Sequence, residues 1–272
     1  MHLTNLNMNK YLLSLLTIAI LLSSCSNQQE RAEEPAEEWK QLFNGADLSN
    51  WTPKFVGYEA GFNYKNTFRV DSGVLKVSYS EYDSFAYEFG HLFTDESFEN
   101  YRLRAEYRFT SEPIPNAPAW AFRNNGFMLH SQSAQSMLID QNFPVSLEAQ
   151  PLGGAEEGER PTMNLCTPGT NVVMGDSLHV VHCVNSTSRT YRGDGWVSVE
   201  MIVYGDSVIH HLVEGDTVIT YFSPTIGGDY LDDVDTSLFS VGSPLKKGYI
   251  AIQAESHDTE FRKIEILELT RP

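Results

Sequence analysis

The fold class of this protein is decided by residues 196–222, WVSVEMIVYGDSVIHHLVEGDTVITYF. Apolar and polar side chains alternate along this segment, and the alternation is interrupted at two turn sequences, Gly205-Asp206 and Glu214-Gly215-Asp216. A period of two places successive side chains on opposite faces of a strand, and Gly-Asp pairs between such runs are typical of tight turns. The segment therefore predicts a meander of three antiparallel strands.

Similar alternating runs occur along the rest of the chain, and from Trp39 onward no run of 11 or more residues has a helical apolar period. The clearest runs are TFRVDSGVLKVS (67–78), YRLRAEYRFT (101–110), GFMLHSQ (126–132), VSLEAQ (145–150) and GYIAIQAE (248–255). A sheet-rich region of this length suits one large all-β domain. We therefore expect a single-domain, jelly-roll β-sandwich of two antiparallel sheets over residues 39–272.

The N-terminal residues have the features of an export signal. An apolar run, YLLSLLTIAILL (11–22), follows Lys10 and is shorter than the roughly 20 residues of a membrane-spanning helix. The next residues, Leu22-Ser23-Ser24-Cys25, resemble the lipobox of bacterial lipoproteins. We expect a signal peptide over 1–24, a lipid anchor on Cys25 and a lipid-anchored protein of the cell envelope, facing the periplasm or the outer-membrane surface. An ordinary secretory signal with an incidental cysteine is the alternative.

Charge narrows the range of partners. Residues 26–38, SNQQERAEEPAEE, contain five Glu and no large apolar side chain, so residues 25–38 are expected to form an acidic, flexible tether. The whole chain of 272 residues has 19 basic and 36 acidic side chains, a net charge of −17. Binding to nucleic acid or to anionic lipid requires an excess of cations. Neither partner is expected, so membrane attachment would depend on the lipid.

Two further cysteines point to an oxidising compartment. With Cys25 assigned to lipid, Cys166 and Cys183 form an even pair in an exported protein, and we predict a disulfide between them. Two buried free thiols are the alternative. No metal site is predicted at either cysteine.

The alternation also predicts which polar side chains share a face. If the strands are neighbours in one curved sheet, their polar sides would form a concave surface. The residues expected there are Arg104 or Arg108, His130, Glu148, Gln150, Gln253, Glu255 and His257. Such a surface, with aromatic rings nearby, suits a sugar. The alternative is an ordinary wetted sheet face, which needs no ligand.

An ordered series of motifs resembles the 3-keto-disaccharide hydrolase family, which is frequent among Bacteroidetes lipoproteins. The motifs are LFNGADLSNW (42–51), NNGFMLHSQ (124–132), VSLEAQPLGG (145–154), RPTMNLCTPGTNVV (160–173), GDGWVSVEMIVYGDSVIHHLVEGDTVITY (193–221) and GYIAIQAESHDTEFRKIEIL (248–267). The resemblance implies a concanavalin A-like jelly roll. It also implies an oligosaccharide or glycoside substrate oxidised to a ketone at C3, which is cleaved at C1–O or hydrated as a 2-hydroxy-3-keto-glucal. A partner oxidoreductase would supply the ketone.

The family's polar strand motifs fall on His130, Glu148, Gln150, Gln253 and His257. Glucanases of the concanavalin-like fold use paired carboxylates on one strand, whereas here Glu148 is followed two residues later by the amide Gln150. A 3-keto sugar avoids the need for a second carboxylate there, because the ketone acidifies C2–H and the group at C1 can leave by β-elimination.

We therefore assign roles by the groups that an elimination requires. Glu148 or His130 is expected to act as the base, and His257 as the acid for the leaving group. Gln150, Gln253 and Arg123 are expected to hold the ketone and the hydroxyls. Glu255 and Arg104 complete the expected substrate-binding set.

Three alternatives remain open at this stage. A carbohydrate-binding, lectin-like lipoprotein would use the same fold without catalysis. A classical glycoside hydrolase would use Glu148 and Glu255 as its acid pair. No cofactor is predicted, although a divalent ion held by Glu148, Glu255 and a His could stabilise an enediolate. Calcium is the ion that the acidic turn at Asp229, Asp232, Asp233 and Asp235 could hold, but that turn lacks a regular calcium-loop pattern.

Overall fold

A computed structural model describes residues 38–229, 231 and 233–270. The expected signal peptide, the anchor at Cys25 and most of the tether lie outside the described residues. The strands are β1 (Lys40–Gln41), β2 (Trp51–Phe55), β3 (Phe68–Asp71), β4 (Val74–Val77), β5 (Gly90–Phe98), β6 (Asn100–Phe109), β7 (Phe127–Ser131), β8 (Leu147–Gln150), β9 (Asn164–Cys166), β10 (Thr170–Met174), β11 (Ser177–His179), β12 (Cys183–Val184), β13 (Val197–Tyr204), β14 (Val208–Val213), β15 (Asp216–Ile226), β16 (Gly248–Ala254) and β17 (Thr259–Glu268). Short 3₁₀ turns occur at Tyr64–Asn66, Ala119–Ala121, Ala134–Ser136 and Thr236–Leu238.

The strands form two antiparallel sheets, which confirms the predicted all-β sandwich. The larger sheet has the order β11-β10-β15-β14-β13-β6-β17-β4-β3, with β1 paired to β17. The smaller sheet has the order β12-β9-β8-β7-β16-β5-β2. Within the described residues, no helix has the length and apolar character needed to cross a membrane.

The predicted meander is confirmed as β13, β14 and β15. Val199 pairs with Val213, and Ile209 pairs with Tyr221. The first turn contains Gly205 at φ 51° and the second contains Gly215 at φ 92°, a left-handed conformation that glycine adopts without a steric penalty. The turn chemistry and the alternation thus agree on the same hairpins.

The core lies between the two sheets and comes from one set of alternate residues in each. Leu103 and Tyr107 on β6 are buried there, as are Phe127 on β7, Leu147 on β8 and Ile252 on β16. Burial of these large side chains is the main stabilising contribution to such a sandwich. The remaining alternate residues face outward, and those of the smaller sheet form the site described next.

Candidate active site

A cavity of about 900 Å³ lies over the outer face of the smaller sheet. Three carboxyl groups, several amides, aromatic rings and one guanidinium share its wall. Its lining residues are Ala119, Trp120, Phe122, Asn124, Asn142, Phe143, Glu148, Gln150, Leu152, Glu159, Arg160, Pro161, Asn164, Cys166, Pro168, His182, Cys183, Asn185 and Glu255. This combination of ring faces with donors and acceptors is what a sugar ring requires.

Strand register explains why the polar residues meet there. Glu148 on β8 pairs with Cys166 on β9, and Gln150 pairs with Asn164. Directly opposed residues of antiparallel strands project to the same face, so all four line the cavity. The expected shared face for Glu148 and Gln150 is therefore present.

Two of the three cavity carboxyl groups, Glu148 and Glu255, form what we call the carboxyl pair; the third, Glu159, accepts a hydrogen bond from the Thr190 hydroxyl at 2.7 Å. Burial raises the pKa of Glu148 to about 8. Burial and then the negative charge of Glu148 raise the pKa of Glu255 well above its usual range, against the opposing effect of the Arg160 cation. Glu148 Oε1 and Glu255 Oε2 have no hydrogen-bond partner within the described part of the chain. Such groups hold protons at neutral pH and are poised for proton transfer.

Gly126 provides the room for the Glu148 carboxyl. A Cβ at this position would lie 2.8 Å from Glu148 Oε1 and 3.0 Å from Met128 Sδ. The Glu148 side chain therefore leans across the backbone of the neighbouring strand. Glycine suits position 126 because a side chain there would crowd the Glu148 carboxyl.

Arg160 is the cation of the cavity. Its Nη1 donates to the Gly153 carbonyl at 2.8 Å and to the Phe122 carbonyl, and its Nη2 donates to the Trp120 carbonyl at 3.1 Å. These backbone acceptors fix the guanidinium, and its charge acts on Glu255. The arginine therefore ties the loop that bears Trp120 to the carboxyl pair.

An aromatic wall closes one side of the cavity. Trp120 is 52% exposed and stacks on Phe89 with ring centroids 6.1 Å apart and an interplanar angle of 25°. Phe89 in turn contacts Phe143 at 5.0 Å. An exposed tryptophan supported from behind offers a flat apolar surface to a sugar or an aglycone.

Beneath this wall lie Gln253 and His91, which we call the inner polar pair. They are directly opposed on β16 and β5, both are 0% exposed, and neither lines the cavity. Burial and the nearby Lys54 cation lower the pKa of His91 to about 3, so its ring is neutral. Among the described residues, neither the ring nitrogens of His91 nor the amide atoms of Gln253 have a hydrogen-bond partner. Gln253 was expected to bind substrate, but it lies one layer below the cavity surface.

His130, which was expected on the polar face as a possible base, does not line the cavity. Its φ of 48° and the register shift of the facing strand β16 mark an irregularity in β7, which disturbs the alternation. The imidazole contacts Tyr101 of the larger sheet edge-on, with centroids 6.1 Å apart, and its Nε2 lies 3.1 Å from the Gly205 carbonyl. His130 therefore packs between the sheets and not in the cavity.

Arg104 and Arg108 lie on β6, in the other sheet. Arg104 forms an ion pair with Glu265 and stacks over Trp39, 3.8 Å from the ring centre. Arg108 pairs with Glu260 at 2.6 Å. The expected shared face required β6 to belong to the smaller sheet. Its position in the larger sheet puts both arginines on the opposite outer surface of the sandwich.

His257 and Arg123 lie beside the cavity without lining it. His257 is 0% exposed, and its ring lies edge-on to Phe109 and Phe122, each at 5.6 Å. Its Nδ1 accepts the Arg123 backbone N–H at 3.2 Å. The Arg123 guanidinium donates through Nη1 to the Gly193 carbonyl at 2.7 Å. Phe122 thus stands between His257 and the cavity.

The predicted disulfide is confirmed. Cys166 and Cys183 are joined across β9 and β12, and both line the cavity beside Glu148. Among the described residues, one group of possible metal-ligating atoms lies within 4.8 Å of one another, namely Cys166, His182 and Cys183. Its two sulfurs are already bonded to each other, so they are not thiolate ligands. In the acidic turn considered as a calcium site, which lacks a regular calcium-loop pattern, Asp232 lies outside the described residues.

Several residues of the site were not identified from sequence. Arg160 begins the motif RPTMNLCTPG, which contributed to the family resemblance, and this was the available signal for it. Trp120 and Phe143 lie in segments without alternation, where no periodicity indicates a face. His91 lies in a run, GHLFTDESF, that has no regular alternation.

Comparison with known proteins identifies related chains. The family described as the 3-keto-alpha-glucoside-1,2-lyase-like domain matches residues 38–267, which confirms the resemblance carried by the motifs. No curated protein matches the sequence significantly.

Solved structures resemble the chain at low identity. A protein of Parabacteroides distasonis ATCC 8503, provisionally assigned as a glycosyl hydrolase, is 16% identical with a TM-score of 0.50, over 88% of this chain and 97% of that one. A second such structure from the same organism is 16% identical, with a TM-score of 0.49 over 85% and 100% of the two chains. A Bacillus subtilis protein of unknown function with a galectin-like fold is 14% identical, with a TM-score of 0.48 over 86% and 96%. At these identities the likeness concerns the fold alone.

Proposed function

Because the chain belongs to the 3-keto-alpha-glucoside-1,2-lyase-like domain family, we propose that it cleaves glycosides already oxidised to a ketone at C3. The observation that carries the proposal is the carboxyl pair. Two buried carboxyl groups with raised pKa values face one cavity, and each has an oxygen that no described residue binds. Proton transfer is the chemistry that this arrangement favours.

The proposed reaction is a β-elimination in which all atoms are accounted for. A carboxylate takes the proton from C2, which the C3 ketone has acidified, and the electron pair forms the C1–C2 double bond. The C1–O bond breaks, and the departing oxygen takes a proton from the second carboxyl group. The products are the free alcohol and a 2-hydroxy-3-keto-glucal, and addition of water to the glucal completes a net hydrolysis.

The repulsion between the two groups supports a division of roles. Burial raises the pKa of both, and a charge on either carboxyl group opposes ionisation of the other, so one can be a carboxylate while the other keeps its proton. Glu148 is the proposed base at C2, as expected from the sequence, and Glu255 is the proposed acid at the leaving oxygen. Glu255 replaces His257 in this role, because Phe122 separates His257 from the cavity.

Other lining groups suit the recognition of a sugar. Gln150 and Asn164 offer amides beside Glu148, and Trp120 offers a ring face at the opposite wall. The Arg160 cation lies close enough to Glu255 to affect its ionisation. A cation in this position can also stabilise the negative charge that develops on the ketone oxygen as the proton leaves C2. These groups bind and orient, and the carboxyl pair moves the protons.

The setting we propose follows from the N-terminal signal. Cys25 would carry lipid and hold the domain at the cell envelope, and a partner oxidoreductase would supply the 3-keto glycoside. Two acyl chains give stable anchoring where one chain does not. The disulfide is in keeping with an oxidising compartment.

Incubation of the purified domain in ²H₂O with a 3-keto-glucoside and with its unoxidised parent tests the proposal. We expect alcohol release from the 3-keto compound alone, with deuterium at C2 of the sugar product. Free 3-keto-glucose without protein controls for spontaneous exchange. Release without deuterium at C2 would contradict the elimination, and binding of either compound without turnover would indicate a lectin.

A classical glycoside hydrolase is the second candidate, because the proximity of Glu148 and Glu255 supplies the acid pair that β8 alone lacks. Its distinguishing result is release of alcohol from the unoxidised glucoside, with C2–H intact. The same incubation measures this directly, so one experiment separates the two candidates.

A further inference from the structure

The inner polar pair has no role in the elimination described above. Gln253 and His91 together present four polar side-chain atoms, all buried and without a partner among the described residues. Burial of a polar group without a hydrogen bond is costly, and sites of this kind in folded proteins are generally satisfied by a ligand or by ordered water. The inner polar pair therefore requires a binding partner.

The position of the pair limits the size of that partner. The Phe143 ring lies on the cavity wall and contacts the His91 ring edge-on, with centroids 5.8 Å apart. On the other side, the Gln253 backbone N–H donates to the Gly126 carbonyl at 2.9 Å. Gly126 is the residue over which the Glu148 carboxyl leans. Gln253 therefore lies beside Gly126 and the Glu148 carboxyl, while Phe143 covers the His91 ring. Because both side chains of the pair are fully buried, a partner as small as a water molecule is the kind that fits them.

We propose that Gln253 and His91 bind a water molecule behind the carboxyl pair, and that this water hydrates the 2-hydroxy-3-keto-glucal. The inference rests on the proposed function, since it concerns the second half of the same reaction. A buried water needs two to four polar partners. The Gln253 amide supplies a donor and an acceptor, and the His91 ring supplies one of each.

The hydration step balances without a further reactant. The water oxygen bonds to C1, the carbon β to the ketone, as one water proton passes to a carboxylate of the carboxyl pair. C2 receives a proton from the other carboxyl group, and the C1–C2 double bond becomes a single bond. The product is the 3-keto sugar, and the pair as a whole neither gains nor loses a proton.

The charges around the pair suit this role. Lys54, which is opposed to His91 on β2, is the charged residue that acts on the imidazole. The Lys54 ammonium donates to the Phe55 and Ile139 carbonyls at 2.7 and 2.9 Å. Burial and then the Lys54 charge lower the pKa of His91, so the imidazole is neutral. A neutral imidazole has one donor and one acceptor nitrogen, so it can orient a water, whereas an imidazolium offers only donors.

The test measures how the reaction partitions between its two products. The glucal is a conjugated enone with its own ultraviolet absorbance, so its accumulation can be followed against the 3-keto sugar by NMR. For His91→Phe we expect the ratio of glucal to 3-keto sugar to rise about tenfold, the factor that loss of one hydrogen bond produces. Phe93→Leu, a change in a buried apolar side chain on the same face, is the matched control and should leave the ratio unchanged.

A ratio in folded His91→Phe equal to that of the wild type would overturn the inference. Gln253→Met keeps the side-chain length without its hydrogen bonds, and it provides the same readout should His91→Phe fail to fold. A high-resolution crystal structure of the wild type provides an independent test. We expect electron density for a water within hydrogen-bond distance of both side chains. Well-defined density for the two side chains with no water between them would contradict the proposal. Failure of the proposed function is distinguishable, because the wild type would then release no alcohol from the 3-keto-glucoside or would release it without deuterium at C2.

Discussion

The outer faces of the two sheets have similar alternating sequences and opposite chemistry. On the larger sheet the outward charges are paired with each other: Arg102 with Glu200 at 2.5 Å, and Arg108 with Glu260 at 2.6 Å. On the smaller sheet, Glu148 and Glu255 lie in a cavity, and each has an oxygen with no partner among the described residues.

This difference distinguishes the outer face of the larger sheet, an ordinary protein surface, from that of the smaller sheet, which forms the candidate active site. Partly exposed, paired charges on the larger sheet contribute little to stability. Buried carboxyls with raised pKa values lower the stability of a fold unless they are neutral, so their presence favours a functional explanation. An alternating pattern alone gives the same prediction for both faces.

The largest effect is expected from Glu148→Gln, compared with Glu200→Gln on the other face. Loss of the base should lower kcat for a 3-keto-glucoside by about 10²- to 10⁴-fold, the usual contribution of general-base catalysis. The Glu200 variant should stay within about twofold, because its ion pair with Arg102 lies on the outer face of the other sheet and has no part in proton transfer. Steady-state kinetics with both variants measures this, and equal loss in the two would remove the distinction between the faces.

Removal of the disulfide should destabilise the face that carries the cavity. For a loop of 17 residues, the chain-entropy model gives about 3 kcal/mol in the free energy of unfolding. Urea unfolding of a Cys166→Ala/Cys183→Ala double variant measures the loss. Reductant should lower the stability of the wild type and leave the double variant unchanged. No loss in the variant would mean that the edge strand β12 is held by its other contacts.

The pH dependence of stability provides a third comparison. The pKa of Glu148 is raised to about 8 in the fold, so the native state holds this proton where the unfolded chain has released it. Stability from this group is complete below the unfolded pKa near 4.5 and is lost as the pH rises through 8. We expect the melting temperature to fall between pH 5 and 8 and Glu148→Gln to flatten the slope. A slope that Glu148→Gln leaves unchanged would contradict the raised pKa of this group.

The smallest effect is expected from Arg104→Gln. This arginine is partly exposed, pairs with Glu265 and stacks on Trp39, so its replacement should lower the free energy of unfolding by no more than about 1 kcal/mol. Activity should be unchanged, since the residue lies on the outer face of the other sheet. Thermal unfolding measures the change in stability, and steady-state kinetics measures the activity. A large rise in KM would contradict the placement of Arg104 outside the site.

The sequence was most informative where alternation was regular. It predicted the meander, the two-sheet architecture, the disulfide and the shared face of Glu148 and Gln150, and the structure confirms these. Each depends on local rules: period two, turn residues and cysteine parity. These rules hold within one strand or one hairpin.

Where the site predictions differ from the structure, the missing information is long-range. The irregularity in β7 turns His130 toward the core, and sheet order puts Arg104 on the opposite side of the sandwich. The alternation in the sequence does not show where a strand has a bulge, and it does not show which strand lies next to it in the sheet.

The carboxyl pair shows most clearly what each level of information decided. The amino-acid sequence by itself determined that β8 offers one carboxylate and one amide, Glu148 and Gln150. The sequence also predicted that Glu255 shares a polar face with Glu148, but tertiary structure alone buried both carboxyl groups in one cavity and left Gly126 beside Glu148. The physical reason is that a raised pKa arises from burial and from the charge of a neighbour, and the folded chain sets both.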